Sequence, residues 1–64
     1  MANLARFVIY VDRGGQYRWR LIAPNGKILA DSGESYVTNA GCREGIADTK
    51  RYVPTAQIED LTRR

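Results

Sequence analysis

The chain has no histidine, one cysteine, two prolines, and a single tryptophan, phenylalanine and methionine. Each scarcity excludes something. A lone thiol, Cys42, cannot form an internal disulfide. Without histidine or a second thiol, no zinc cage can be assembled, and no metal or cofactor is expected. The lack of histidine also removes the side chain most used as a general base near neutral pH. No apolar run approaches the ~20 residues of a membrane-spanning helix. Arg6, Asp12 and Arg13 leave no room for the apolar segment of a secretory signal. Together with the lone thiol, this predicts a cytoplasmic protein in reducing surroundings. No repeat, linker or low-complexity tract interrupts the sequence.

What is present suffices for one small domain. The hydrophobic fraction, 44%, is that of an ordinary folded protein, but 64 residues bury only roughly 60% of the surface their unfolded chain exposes. Small scaffolds make up the deficit with disulfides, a metal or a partner subunit. With the first two excluded, a homodimer is expected. The net charge of +3 is mild. Without Arg63 and Arg64 it falls to +1, so the basic balance permits contact with nucleic acid but does not demand it.

The pattern predicts four strands and a helix. Over residues 6–12, Phe7, Ile9 and Val11 alternate with Val8, Tyr10 and Asp12, which marks a strand. Over 16–23, Tyr17, Trp19, Leu21 and Ala23 alternate with Arg18, Arg20 and Ile22. A three-residue loop, Arg13-Gly14-Gly15, with Gly15 left-handed, brings the two apolar sets onto one face. The pairs are then Val11 with Tyr17, Ile9 with Trp19, and Phe7 with Leu21, backed by Tyr10 with Arg18 and Val8 with Arg20. Asn25-Gly26 predicts a two-residue type I′ turn into a strand over 27–32. That turn pairs Ala23 with Ile28, Ile22 with Leu29, Leu21 with Ala30 and Arg20 with Asp31, the last an opposite-charge cross-strand pair. Thr38 is the N-cap of a helix reaching about Tyr52 and stopped by Pro54. Its buried stripe is Cys42, Gly45, Ile46, Thr49 and Val53. Gly45 in mid-helix signals close approach to the sheet. Residues 56–61 alternate weakly and predict a last strand with Ile58 inward.

Several segments together resemble the YegP-like family, a small domain of unknown function: FVIYVD at 7–12, GQYRWRL at 15–21, Asn25-Gly26, SGESY at 32–36 and Gly45-Ile46. The resemblance spans about Phe7 to Leu61. It implies an α+β fold: an antiparallel sheet from a β-β-β-α-β unit, with the helix packed on one face. It further implies two units joined as a dimer with exchanged C-terminal strands. Residues 1–64 are then one domain, with 6–61 the unit and 1–5 and 62–64 expected to fray. The resemblance supplies no activity and no catalytic residue.

The helix-free sheet face is the candidate partner surface, carrying Tyr10, Arg18, Arg20, Ile22, Leu29 and Asp31, with Val8 between them. Tyrosine and arginine are enriched where interfaces hold tightly, so a small non-enzymatic dimeric binding module is the favoured reading, with an unidentified protein or peptide as partner. The alternative is single-stranded nucleic acid stacked on the same face. Against both stands an ordinary solvated or dimer-covered sheet face. A third reading is a small enzyme at a dimer cleft. Ser32, Glu34, Ser35 and Tyr36 lie within five residues, but only Lys27, Lys50 or a carboxylate remains to serve as base. Their bland role is to order the loop by hydrogen bonding to backbone. Gly14-Gly15 precedes a strand and lacks the lysine of a phosphate loop. Cys42 reads as a small buried hydrophobe and Trp19 as a core anchor.

Overall fold

The computed structural model of the chain describes residues 4–62; the expected fraying of 1–3 and 63–64 lies outside them. Three strands, β1 (Arg6–Val11), β2 (Tyr17–Ile22) and β3 (Ile28–Asp31), form an antiparallel sheet in the order β1-β2-β3. A helix, α1 (Asn39–Tyr52), and a short 3-10 turn at Val53–Thr55 follow. The fold is α+β.

The first hairpin has the expected register from Phe7↔Leu21 to Val11↔Tyr17. The backbone N–H of Gly15 donates to the Asp12 carbonyl at 3.0 Å, that of Asp12 donates to the Gln16 carbonyl at 2.8 Å, and Gly15 has φ 82°. The side chain of Asp12 fastens the turn. Its Oδ1 accepts from the backbone N–H of Gly14 (2.8 Å) and of Gln16 (3.1 Å).

The second hairpin corrects the sequence reading. A type I′ turn needs positive φ at both central residues, and among the described residues only glycines have it. The N–H of Gly26 bonds the Ala23 carbonyl (2.9 Å), and that of Ala23 bonds the Lys27 carbonyl (2.8 Å). The loop is therefore Pro24-Asn25-Gly26, with proline first in the turn and Gly26 left-handed at φ 90°. It repeats the design of the first hairpin. The pairs Arg20↔Asp31 and Leu21↔Ala30 stand as expected. Ile22, however, lies opposite Ile28, and a register shift makes Leu29 the extra residue of a bulge.

Thr38 caps α1, its Oγ1 accepting from the Gly41 N–H at 2.9 Å. Lys50 and Arg51 occupy the last turn, where cations suit the helix dipole. The helix packs on β2, burying Cys42 (0% exposed) and Trp19 (5%) with Ala23. Phe7 meets Trp19 edge to face, ring centroids 5.2 Å apart. The rest of the expected helical stripe is only half-buried, and Val53 is 62% exposed. The four residues of β3 are all exposed.

Residues 56–61 form no strand within the chain, and Ile58 is not inward: it is 95% exposed, and Leu61 82%. The physical reason is that the segment leads away from the 3-10 turn and meets no sheet edge of its own chain. The consequence shows in the whole molecule. Its accessible surface is 5558 Å², against ~4,100 Å² for a compact monomer of 7.2 kDa. Its radius of gyration is 13.7 Å, against ~10.7 Å for a compact chain of this length.

Candidate functional site

The helix-free face follows from strand parity. Arg6, Val8 and Tyr10 project from β1, and Arg18, Arg20 and Ile22 from β2. Arg6 belongs to this face as the register partner of Ile22; the sequence reading omitted it although alternation with Val8 and Tyr10 already places it there. Ile28 was likewise missed, because it joins the face only through the bulge.

The arginines of the face have different fates. Arg18 donates from Nε to Asp12 Oδ2 at 2.7 Å. That bond, with the two backbone N–H donors, holds the Asp12 carboxyl below its ordinary range and pushes the Arg18 guanidinium up. Arg20 stands opposite Asp31 but makes no ion pair with it. Its guanidinium lies over the Tyr10 ring, 4.4 Å from the centroid, a cation–π contact worth ~0.5–1 kcal/mol at an exposed site. Asp31 Oδ1 instead accepts from the Gly33 N–H at 3.1 Å. Opposed residues on neighbouring strands thus share a register without sharing a charge contact.

The serine–tyrosine loop is tied into the scaffold. Ser32 Oγ donates to the Glu34 carbonyl at 2.7 Å, and Ser35 Oγ to Gln16 Oε1 at 2.5 Å. Tyr36 exchanges both backbone hydrogen bonds with Tyr17, each 2.8 Å, and its ring lies on α1 at Gly45. Among the described residues neither Lys27 nor Lys50 hydrogen-bonds to these groups, and no three His, Cys, Asp or Glu side chains gather. Burial pushes the Cys42 thiol up, away from the reactive thiolate. No helix among the described residues is long and apolar enough to cross a membrane.

The other face of the sheet holds a feature that the sequence did not reveal. Between β1 and α1 runs an open groove of about 580 Å³. Phe7 and Ile9 form one wall, with Ala5 at its end; Ile46 forms the floor of the other, between Arg43 and Lys50. It continues past Phe7 and Lys50 into a second, almost wholly apolar hollow of about 320 Å³ bounded by Leu21, Val53 and Pro54. The helix stripe is half-exposed because α1 covers β2 and leaves β1 open.

Residues 12–60 match a family described as a domain of unknown function, DUF1508. The chain belongs to that family. The YegP-like resemblance read from the sequence is to the same family. A UPF0339 protein of Methanosarcina acetivorans is 44% identical over 55 residues, covering 86% of this chain and 93% of the relative. The solution structure of a protein from Haloferax volcanii, 43% identical, covers 94% of this chain and all of its own, with a TM-score of 0.86. A UPF0339 protein of Stutzerimonas stutzeri is 40% identical over 48 residues, which are only 42% of its length. The DUF1508 family carries no established activity, so its chemistry has to be read from the surfaces just described.

Proposed function

We propose that this DUF1508 chain is a non-enzymatic interaction module that works as a homodimer in the cytoplasm. Each copy lends its C-terminal segment to the other, and the helix-free sheet face is presented to a protein partner. One observation carries the reading: the groove between β1 and α1 leaves Phe7, Ile9 and Ile46 open between Arg43 and Lys50, while Ile58 and Leu61 stand exposed in the same chain. The surplus of ~1,400 Å² over a compact monomer exceeds the ~800 Å² that each partner contributes to a standard interface. The Stutzerimonas relative supports a two-unit assembly, since its chain is more than twice the length of the matched segment. A lone thiol that is buried suits a reducing compartment.

On the recognition face the working residues are Tyr10, Arg18, Arg20 and Ile22, with Leu29 and Asp31 at the margin. Tyr10 and Arg20 form a preassembled aromatic–cation pair, the kind of anchor that interfaces favour. The Arg20 guanidinium also covers a ring face on which a base would stack, which favours protein over single-stranded nucleic acid. The test compares the native protein with Tyr10→Ala and Arg20→Ala in affinity capture from lysate. A partner lost with both variants, at unchanged dimer mass, is the expected result. Capture indifferent to both variants overturns the assignment of the face. Oligonucleotide binding that falls steeply with salt transfers the face to nucleic acid.

A further inference from the structure

The charges of the helix-free face divide into those already held and those left open. Arg18 is bound to Asp12, and Asp31 accepts from the Gly33 N–H. Among the described residues the guanidiniums that donate are those of Arg18, Arg43 and Arg51; those of Arg6 and Arg20, both exposed, do not. Arg20 is nonetheless held in place, its guanidinium 4.4 Å from the Tyr10 centroid. The ring attracts the cation's charge and leaves its five N–H donors without an oxygen acceptor. Arg51 is the contrast: it lies over Tyr52 at 4.9 Å, but its Nη2 donates to Asp48 at 2.8 Å.

The register sets the distance to Arg6. Arg6 is opposite Ile22, and Val8 opposite Arg20, so the two cations stand on a diagonal of the hairpin, ~7–8 Å apart at the backbone. Val8 and Ile22, both half-buried, occupy the other diagonal. Leaning towards Tyr10, the Arg20 guanidinium turns away from Arg6. Cations that bind one phosphate converge on it, whereas these two diverge across an apolar pair. Alternate residues of an extended chain point to one side, ~6.6 Å apart, which matches two separate single charges.

We infer that the helix-free face takes an extended acidic segment of a partner protein, with carboxylates two residues apart, one clasped by Arg20 on its Tyr10 platform and the other by Arg6. This rests on the recognition face proposed above and gives its partner a chemistry. A carboxylate meets a guanidinium through two parallel N–H···O bonds, a geometry that lysine does not reproduce. Both pairs lie at the surface, so binding weakens with salt.

The experiment titrates the full chain with two end-blocked pentapeptides and follows the arginine Nε–H resonances by NMR. One is Ala-Glu-Ala-Glu-Ala. The other, Glu-Ala-Ala-Glu-Ala, has the same composition, but its carboxylates point to opposite sides of an extended chain. The first is expected to shift the Arg6 and Arg20 signals saturably, and the second to bind about tenfold more weakly. Arg20→Lys keeps the charge and is expected to weaken the first peptide about tenfold. Tyr10→Leu removes the platform and is expected to weaken it about threefold. Arg51→Lys, on α1, is expected to bind like the native chain. No shift with either peptide, equal affinity for the two, or an Arg20→Lys chain that binds like the native one overturns the acidic clasp; the face itself stands if lysate capture still depends on Tyr10 and Arg20. Tighter binding of a phosphoserine peptide or of oligothymidylate also overturns it and assigns the face to phosphate. If no probe shifts the face and capture is indifferent to both alanine variants, the face and its partner fall together.

Discussion

The Tyr36 ring lies so close on α1 that a Cβ at Gly45 would stand 2.7 Å from its Cζ and closer still to its hydroxyl. Glycine inside a helix costs about 1 kcal/mol against alanine, and here it makes room for a side chain anchored by its own backbone bridge to Tyr17. The sequence marked Gly45 as a point of close approach to the sheet. The approaching group is instead the loop tyrosine that joins the sheet to the helix.

A change of sign tests that contact. Gly45→Ala in the native chain is expected to destabilise by about 1–3 kcal/mol, the usual cost of overpacking. With Tyr36→Ala already made, the same substitution should stabilise by about 1 kcal/mol. Thermal melts of the four chains supply the cycle. An equal effect of Gly45→Ala in both backgrounds would show that Tyr36 is not what the glycine accommodates.

The second hairpin separates two residues that a type I′ turn would treat alike. Only Gly26 has positive φ, so Gly26→Ala is expected to cost about 1–2 kcal/mol. Asn25→Ala loses the hydrogen bond from the Lys27 N–H to Asn25 Oδ1, 3.1 Å in length, and should cost about 0.5–1 kcal/mol. Denaturant midpoints rank the two. A larger loss at Asn25 would restore the type I′ turn.

Asp12 ties the first hairpin to pH. Its carboxyl is held below the ordinary value first by the Arg18 guanidinium and then by the backbone N–H groups of Gln16 and Gly14. A group with a depressed folded pKa contributes stability that is complete above its unfolded value, about 3.9, and is lost as pH falls through the folded one. The Asp12→Asn variant should therefore lose less stability than the native chain between pH 5 and about 2, measured by urea midpoint. Parallel curves for the two proteins would remove Asp12 from the acid transition.

These contacts show what was legible in the sequence. Alternation at Phe7–Val11 and Tyr17–Leu21 fixed the first hairpin, because one face had to be apolar and only an odd loop allowed it. Thr38 and Pro54 bounded the helix through capping and proline chemistry. The second turn was misread because Asn25-Gly26 was weighed without Pro24, whose fixed φ suits the first central position of a type I turn. Arg20 was paired with Asp31 on register alone, although a long guanidinium also reaches the diagonal Tyr10. The groove lay beyond any reading of periodicity, since it depends on where α1 sits across the sheet. The last strand was assigned from apolar spacing, but spacing does not say whether a segment reaches a sheet edge, and residues 56–61 pair with neither open edge of the β1-β2-β3 sheet.

The account turns on whether the exposed C-terminal segment belongs in another copy, and the mass in solution measures this most directly. Sedimentation equilibrium at micromolar concentration should give twice the chain mass for the full protein and no dimer for a form ending at Thr55 or carrying Ile58→Asp. A folded full-length monomer, or a dimer that persists without residues 56–64, would contradict it.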